Sequence, residues 1–312
     1  MQDSFDPFKP SASGFYNPAV AKLFFESSGK REEIGAGTTL FVENEKSSRQ
    51  GLFTRPISEA LATPIDGTLF AKPNIHRMYF LTEGEVALTA NGKPLVTIWP
   101  GDIFGEMAVI SEIPRLSISS ARSATATART DCRAWSLDGK EAEAGLAKTP
   151  EFALMLMSVM FERLRFLAAR LAARSDTSGH RSNRSEPVFD AAMLSQLEQR
   201  LERATVVRFS AGAKIMVDGR PGTSMYVVLE GDVAIAIGVR IVEKLSTGGV
   251  FGEMALVDQS PRIATAVART DCALLSINRA ALITLVRSDP AIGMAMMRAV
   301  AARIRYMNSL FV

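Results

Sequence analysis

A chain of 312 residues with 47% hydrophobic and 22% charged residues has material for two globular domains and is too apolar to be disordered. A formal charge of only +3 excludes the basic excess of a nucleic-acid binder, so no nucleic-acid partner is expected. No apolar run reaches membrane-spanning length and residues 1–15 lack the pattern of a secretory leader, so a cytoplasmic protein with no membrane association is expected.

In chain order, β-branched and apolar residues mark strands at 39–42, 77–81, 85–90, 126–128 and 134–137. Gly84, Asn91-Gly92 and Pro100-Gly101-Asp102 supply the turns between them. Short strands with evenly spaced turns predict a β-sandwich or jelly-roll barrel. After Pro150 the period changes: Met157, Met160, Leu164, Leu167 and Leu171 step by three and four residues, which predicts an amphipathic helix. Arg163, Arg165, Arg170 and Arg174 read as its solvated basic face. Residues 175–188, rich in Ser, Arg, Gly and Asn without apolar period, read as a flexible linker. The strand pattern then recurs and closes on a second helix with the stripe Met297, Val300, Ile304, Met307 and Phe311.

The recurrence is a sequence repeat. Phe104-Gly105-Glu106-Met107-Ala108-Val109 returns as Phe251-Gly252-Glu253-Met254-Ala255-Leu256. Met78-Tyr79 returns as Met225-Tyr226, and Ala128-Arg129-Thr130-Asp131-Cys132 as Ala268-Arg269-Thr270-Asp271-Cys272. Two homologous domains follow, 18–174 and 189–312, the first carrying insertions at about 43–77 and 114–121. The longer insertion, punctuated by Pro56, Pro64, Gly67 and Pro73, reads as a lid, a partner-binding loop or a surface excursion. Cys132 and Cys272 sit at equivalent places in separate domains and are expected to be reduced core residues.

The cassette has a chemical logic of its own. Gly252 permits close approach of backbone to a ligand, and the short helix that begins there offers free amides to an anion. Arg262 can grip phosphate oxygens at two points. Glu253 is an acceptor, suited to a hydroxyl and unsuited to phosphate. The alternative is a structural ion pair between Glu253 and Arg262. In the first copy two arginines compete for the corresponding place: Arg115 keeps the spacing from Glu106, whereas Arg122-Ser123-Ala124 aligns with Arg262-Ile263-Ala264 on the strand side. Strand register favours Arg122.

A β-barrel repeat with these motifs resembles the cyclic nucleotide-binding domain family, over residues 18–174 and 190–312. The resemblance implies a mainly β fold with flanking helices: two jelly-roll β-barrels, each followed by an amphipathic α-helix. It implies a second site of Gly252, Glu253, Met254, Ala255, Arg262, Ile263 and Ala264, with Glu253 on the ribose and Arg262 on the phosphate. A first site of Gly105, Glu106, Met107, Ala108, Arg115 or Arg122, Ser123 and Ala124 corresponds to it. Within the family a hydroxyl just after the phosphate arginine goes with cGMP and an apolar residue with cAMP, so Ile263 leans towards cAMP and Ser123 leaves the first site open. Tyr306, with Phe166 as its counterpart, is the expected purine cap. The tandem layout is similar to the regulatory subunit of protein kinase A, and each copy to the sensor domain of catabolite activator protein. No kinase-inhibitor sequence is recognisable before Phe24, however, and a helix-turn-helix beyond the second helix is not expected.

With no motif for catalysis and no metal-ligand spacing, the chain is expected to be no enzyme and to need no cofactor or metal. The expected function is a non-catalytic sensor of cAMP or cGMP that signals through its terminal helices to a protein effector, in a homodimer seamed by the two helical stripes. Its Ala- and Arg-rich style leans towards a bacterial source. Two other readings stay open: a c-di-GMP effector, motivated by the pair Arg115 and Arg122, and an interaction scaffold with vestigial sites.

Overall fold

The computed structural model describes residues 16–45, 76–112, 121–149, 151–173, 183–184, 186–201, 206–257 and 259–310. The first copy opens on helix α1 (Pro18–Ser28), started by Asn17, whose side chain accepts from the amides of Ala19 and Val20 with proline in the first turn. Eight strands follow: β1 (Lys30–Ile34), β2 (Thr39–Phe41), β3 (Arg77–Glu83), β4 (Val86–Ala90), β5 (Lys93–Ile98), β6 (Ile103–Phe104), β7 (Thr125–Ala128) and β8 (Cys132–Asp138). A short helix α2 (Glu106–Glu112) separates β6 from β7, and α3 (Gly139–Lys148) follows β8. The strands form two antiparallel sheets, ordered β1-β8-β3-β6 and β2-β7-β4-β5.

Next come helix α4 (Glu151–Ala172), strand β9 (Asn183–Arg184) and helix α5 (Ala191–Arg200). The second barrel comprises β10 (Val206–Phe209), β11 (Lys214–Met216), β12 (Ser224–Glu230), β13 (Val233–Ile237), β14 (Arg240–Leu245), β15 (Val250–Phe251), β16 (Thr265–Ala268) and β17 (Cys272–Asn278). Helix α6 (Glu253–Val257) stands where α2 stands in the first copy, and α7 (Arg279–Ser288) and α8 (Pro290–Ser309) end the chain's described part. The sheets β10-β17-β12-β15 and β11-β16-β13-β14 repeat the first pair strand for strand, with β9 added in parallel to β14. The architecture is thus mainly β with flanking helices, two jelly-roll domains in one chain.

Alternation builds each interior. β7 reads Thr-Ala-Thr-Ala and β16 Thr-Ala-Val-Ala, and in both the alanines turn inward and are buried. In the first copy Ile34, Leu81, Val86 and Ile98 close around the rings of Phe41, Tyr79 and Phe104; each such side chain contributes about 1.5–3 kcal/mol by burial. Tyr79 stacks on Phe104 at 5.1 Å, and the repeat-related Tyr226 on Phe251 at 5.3 Å. Cys132 and Cys272 are both buried and unbonded to one another.

Contacts divide the chain into two compact units, Asn17–Lys148 and Thr149–Val312. Helix α4, which follows the first barrel in sequence, belongs to the second unit because it packs on α8. Both stripes are buried: Met157, Met160, Leu164, Leu167 and Leu171 on α4, and Met297, Val300, Ile304 and Met307 on α8. Phe311 and Arg174 lie outside the described residues. A homodimer seam made of these stripes therefore requires the two helices to part.

Three features depart from the sequence reading. Arg163, assigned to a solvated face, is buried, because α4 is covered on more than its apolar stripe. Residues 183–184, assigned to the linker, pair with Glu243 and Lys244 of β14. β1 carries the charges of an edge strand, Lys-Arg-Glu-Glu-Ile, with one buried position, so alternation does not reveal it. Among the described residues no single helix is long and apolar enough to cross a membrane.

Candidate functional site

In the second unit the cassette is built around one arginine. β15 ends at Phe251, and the chain turns into α6 through Gly252 at φ +81°, a left-handed conformation glycine adopts without cost. A Cβ on Gly252 would come within 2.7 Å of Arg262 Nη1. The Arg262 backbone is pinned on both sides, its N–H donating to Arg220 O at 2.9 Å and its carbonyl accepting from Gly219 N at 2.9 Å. Its guanidinium donates through Nη1 to Gly252 O and through Nη2 to Ser224 O. Gly222 leaves the room for that fork, since a Cβ there would stand 2.2 Å from Arg262 Cζ.

The fork faces a cavity that opens to solvent. All eight residues expected at the second site line it: Gly252, Glu253, Met254, Ala255, Arg262, Ile263, Ala264 and Tyr306. Its apolar wall comes from Met216, Ile235, Ile237, Val242 and Phe251 of the barrel, with Met307 of α8 and Leu164 of α4. A mostly apolar cavity with a few converging charges is the usual make-up of a small-molecule site.

The charges converge in an order the sequence did not show. Glu253 is 3% exposed, and its Oε1 accepts from Arg303 Nη1 at 2.5 Å. Arg303 Nε lies 3.1 and 3.0 Å from the two carboxylate oxygens of Glu243, and its Nη2 donates to Val250 O. Burial weighs against the Arg303 charge, yet Glu243 and Glu253 together raise its pKa above the ordinary guanidinium value. Arg262 has the opposite balance. Burial lowers its pKa, partly opposed by Tyr226 and Glu253, and no carboxylate reaches ion-pair distance of it among the described residues. It remains a cation at physiological pH. The alternative of a Glu253–Arg262 ion pair is therefore not what is built: the carboxylate belongs to α8, and the cassette arginine is a buried cation turned to a cavity.

The first unit repeats the arginine's setting. Arg122 donates through Nη1 to Gly105 O and through Nη2 to Arg77 O, both at 2.9 Å, and Arg77 stands where Ser224 stands. Its backbone is pinned by Glu45 O and Asn44 N at 3.0 and 2.9 Å, as Arg262 is by Arg220 and Gly219. Arg122 thus occupies the position of Arg262; Arg115 lies outside the described residues. Its guanidinium also sits 4.0 Å from the centre of the Phe41 ring, a cation–π contact that Met216 cannot offer in the second unit. Glu106, Met107, Ala108 and Ala124 are buried around it, Gly105 has φ +76°, and Ser123 is exposed.

Arg303, Glu243, Gly222 and Leu164 are among the residues at the second site that the sequence reading does not assign to it. Arg303 had a signal, because it is the repeat counterpart of Arg163, and a cation kept among apolar residues in two helices is not a solvated one. Glu243 has Val96 as its counterpart and gives no such signal.

The family profile described as cyclic nucleotide-binding domain matches residues 68–149 and 206–289, more than half of the chain. The chain belongs to the cyclic nucleotide-binding domain family. Both cassettes lie inside the matched segments, whereas Leu164, Arg303 and Tyr306 lie outside them. Two cAMP-dependent protein kinase regulatory subunits are similar: that of Colletotrichum orbiculare, 27% identical over 61% of this chain and 42% of that one, and that of Eremothecium gossypii, 27% identical over 64% and 38%. The chain spans about two fifths of the length of these curated relatives. Among solved structures, cAMP-bound PfPKA-R is 16% identical, covering 96% of this chain and 87% of that one, with a TM-score of 0.32.

Proposed function

We propose that this protein is a non-catalytic sensor in which the second domain binds a cyclic mononucleotide, cAMP in preference to cGMP, and passes the event to a protein effector through α8. The observation that carries the reading is Arg262, a buried cation on a cavity wall with no carboxylate partner among the described residues. A singly charged cyclic phosphate completes that charge and takes the remaining donors of the fork. Glu253 keeps acceptor capacity beyond its bond to Arg303 and suits a ribose hydroxyl. Tyr306 offers a ring to the purine, and apolar Ile263 favours adenine by family likeness.

Arg303 supports the transmission step. It ties the ribose-side carboxylate to α8, so a ligand that changes the demand on Glu253 changes the hold on the helix. Such a ligand shifts the helix equilibrium only by its differential affinity for the two states. The kinase regulatory subunits among the relatives support a protein as the effector. By the same positions we propose that Gly105, Glu106, Arg122 and Ser123 form a second, less adaptable site, its arginine already committed to Phe41. A melting-temperature screen against cAMP, cGMP and c-di-GMP tests the assignment, because a specific ligand raises the melting point by mass action. The expected result is the largest rise with cAMP; a rise with c-di-GMP alone, or with none of the three, contradicts it.

A further inference from the structure

The second cavity is walled in part by a helix that precedes its barrel in the chain and belongs to the same compact unit. Leu164, on the helix that follows the first barrel, lines it beside Arg303, Tyr306 and Met307 of α8. One residue on, Arg165 Nη1 donates to Pro261 O at 3.2 Å, reaching across 96 residues of sequence to the carbonyl just before Arg262. Helix α4 also packs on α6, the cassette helix, as well as on α8. Three contacts therefore bring one upstream helix to the cassette helix, the cassette loop and the cavity wall.

We infer that α4 is a structural component of the second nucleotide site, with Leu164 and Arg165 as positioning residues for the ligand that Arg262 holds. This rests on the reading of that cavity as a cyclic nucleotide site. Leu164 is 6% exposed and closes the apolar wall that a purine or ribose face meets. Arg165 fixes the backbone immediately before the phosphate arginine, and a displacement there moves the fork that Gly252 and Ser224 align. The consequence is connectivity: the helix leaving the first barrel is ordered by the ligand of the second.

The test is hydrogen exchange on the full chain with cAMP as probe, in the wild type and in Arg262→Ala, together with cAMP titration of Leu164→Ala, Leu164→Met and Arg165→Ala. Expected is slower exchange across Met157 to Leu171 on cAMP addition, lost in Arg262→Ala. A roughly fivefold or greater rise in Kd of the Arg262-dependent binding event is expected for Leu164→Ala and Arg165→Ala, as about 1 kcal/mol of lost contact implies. Leu164→Met, which keeps the volume, should restore the wild-type Kd. The other binding event, if present, should not move, which separates positioning from general destabilisation. Protection of α4 that survives Arg262→Ala, or wild-type affinity in both Leu164→Ala and Arg165→Ala, overturns the inference while leaving the site itself intact. A chain whose cAMP binding is indifferent to Arg262→Ala overturns the cavity reading and this inference with it.

Discussion

Glu253 gives its carboxylate to Arg303 of the terminal helix and not to Arg262 nine residues away in the same cassette. Two arginines thereby acquire different work. Arg303 is neutralised by Glu243 and Glu253 and holds α8 to the barrel, while Arg262 keeps its charge for the cavity.

Arg303→Met should destabilise the second unit. It strands two buried carboxylates, and breaking a buried pair by removing one partner costs about 3–5 kcal/mol. Urea unfolding of the full chain should show the transition of residues 149–312 moving to lower denaturant, with partial recovery in the triple variant Arg303→Met, Glu243→Gln, Glu253→Gln. An unmoved transition would mean that the ion cluster contributes nothing to holding the helix.

Arg262→Lys keeps the charge and loses the planar fork, since one ammonium cannot serve Gly252 O, Ser224 O and a phosphate in the same geometry. A charge-assisted hydrogen bond is worth about 1.5–3 kcal/mol, so the cAMP Kd should rise at least tenfold. An unchanged Kd would make the arginine structural.

Gly222→Ala should weaken cAMP binding without unfolding the protein. The added methyl carbon stands 2.2 Å from Arg262 Cζ and must push the guanidinium off its two carbonyls. Equilibrium dialysis with labelled cAMP should show the loss while the melting profile stays close to that of the wild type; retained affinity would show that the fork has room to shift.

Ile263→Ser places a hydroxyl next to the phosphate arginine, where family likeness associates it with the guanine amino group. One net hydrogen bond of about 1 kcal/mol should improve cGMP relative to cAMP about fivefold. Competition titration reads the ratio, and a ratio equal to that of the wild type removes residue 263 from base selection.

In the first unit burial pushes the Tyr79 phenol up to about 12, reinforced by Glu32 and opposed by Arg122 and Arg77. The folded state thus holds the phenol proton more tightly than the unfolded chain does. The associated stability is fully present below about pH 10 and is lost as pH rises from there towards the folded value. Tyr79→Phe should flatten the alkaline loss of stability of residues 17–148, measured by urea unfolding at stepped pH; identical slopes in both proteins would contradict the assignment.

The parts of this fold visible in the sequence are those fixed by short-range pattern or by repetition. The cassettes are legible because Gly252, Glu253 and Arg262 have counterparts in Gly105, Glu106 and Arg122, and the barrel because alternation in β7 and β16 must match the pleat. Strand register favours Arg122 over Arg115, and the backbone of Arg122 is held beside Asn44 as that of Arg262 is held beside Gly219. The Arg303–Glu253 bond joins residues 50 apart, and the Arg165–Pro261 bond residues 96 apart; tertiary pairing of this kind has no local period to betray it. Arg163 misled for the same reason, as a charged residue on an amphipathic helix reads as solvated until the helix is covered on a further side.

Whether Arg262 of the second domain anchors a cyclic nucleotide phosphate is decided by calorimetric titration of cAMP into the full chain and into Arg262→Ala. The tightest binding event of the wild type should be absent from Arg262→Ala while the fold, followed by its unfolding transition, persists. Superimposable isotherms for the two proteins would mean that Arg262 does not hold the phosphate.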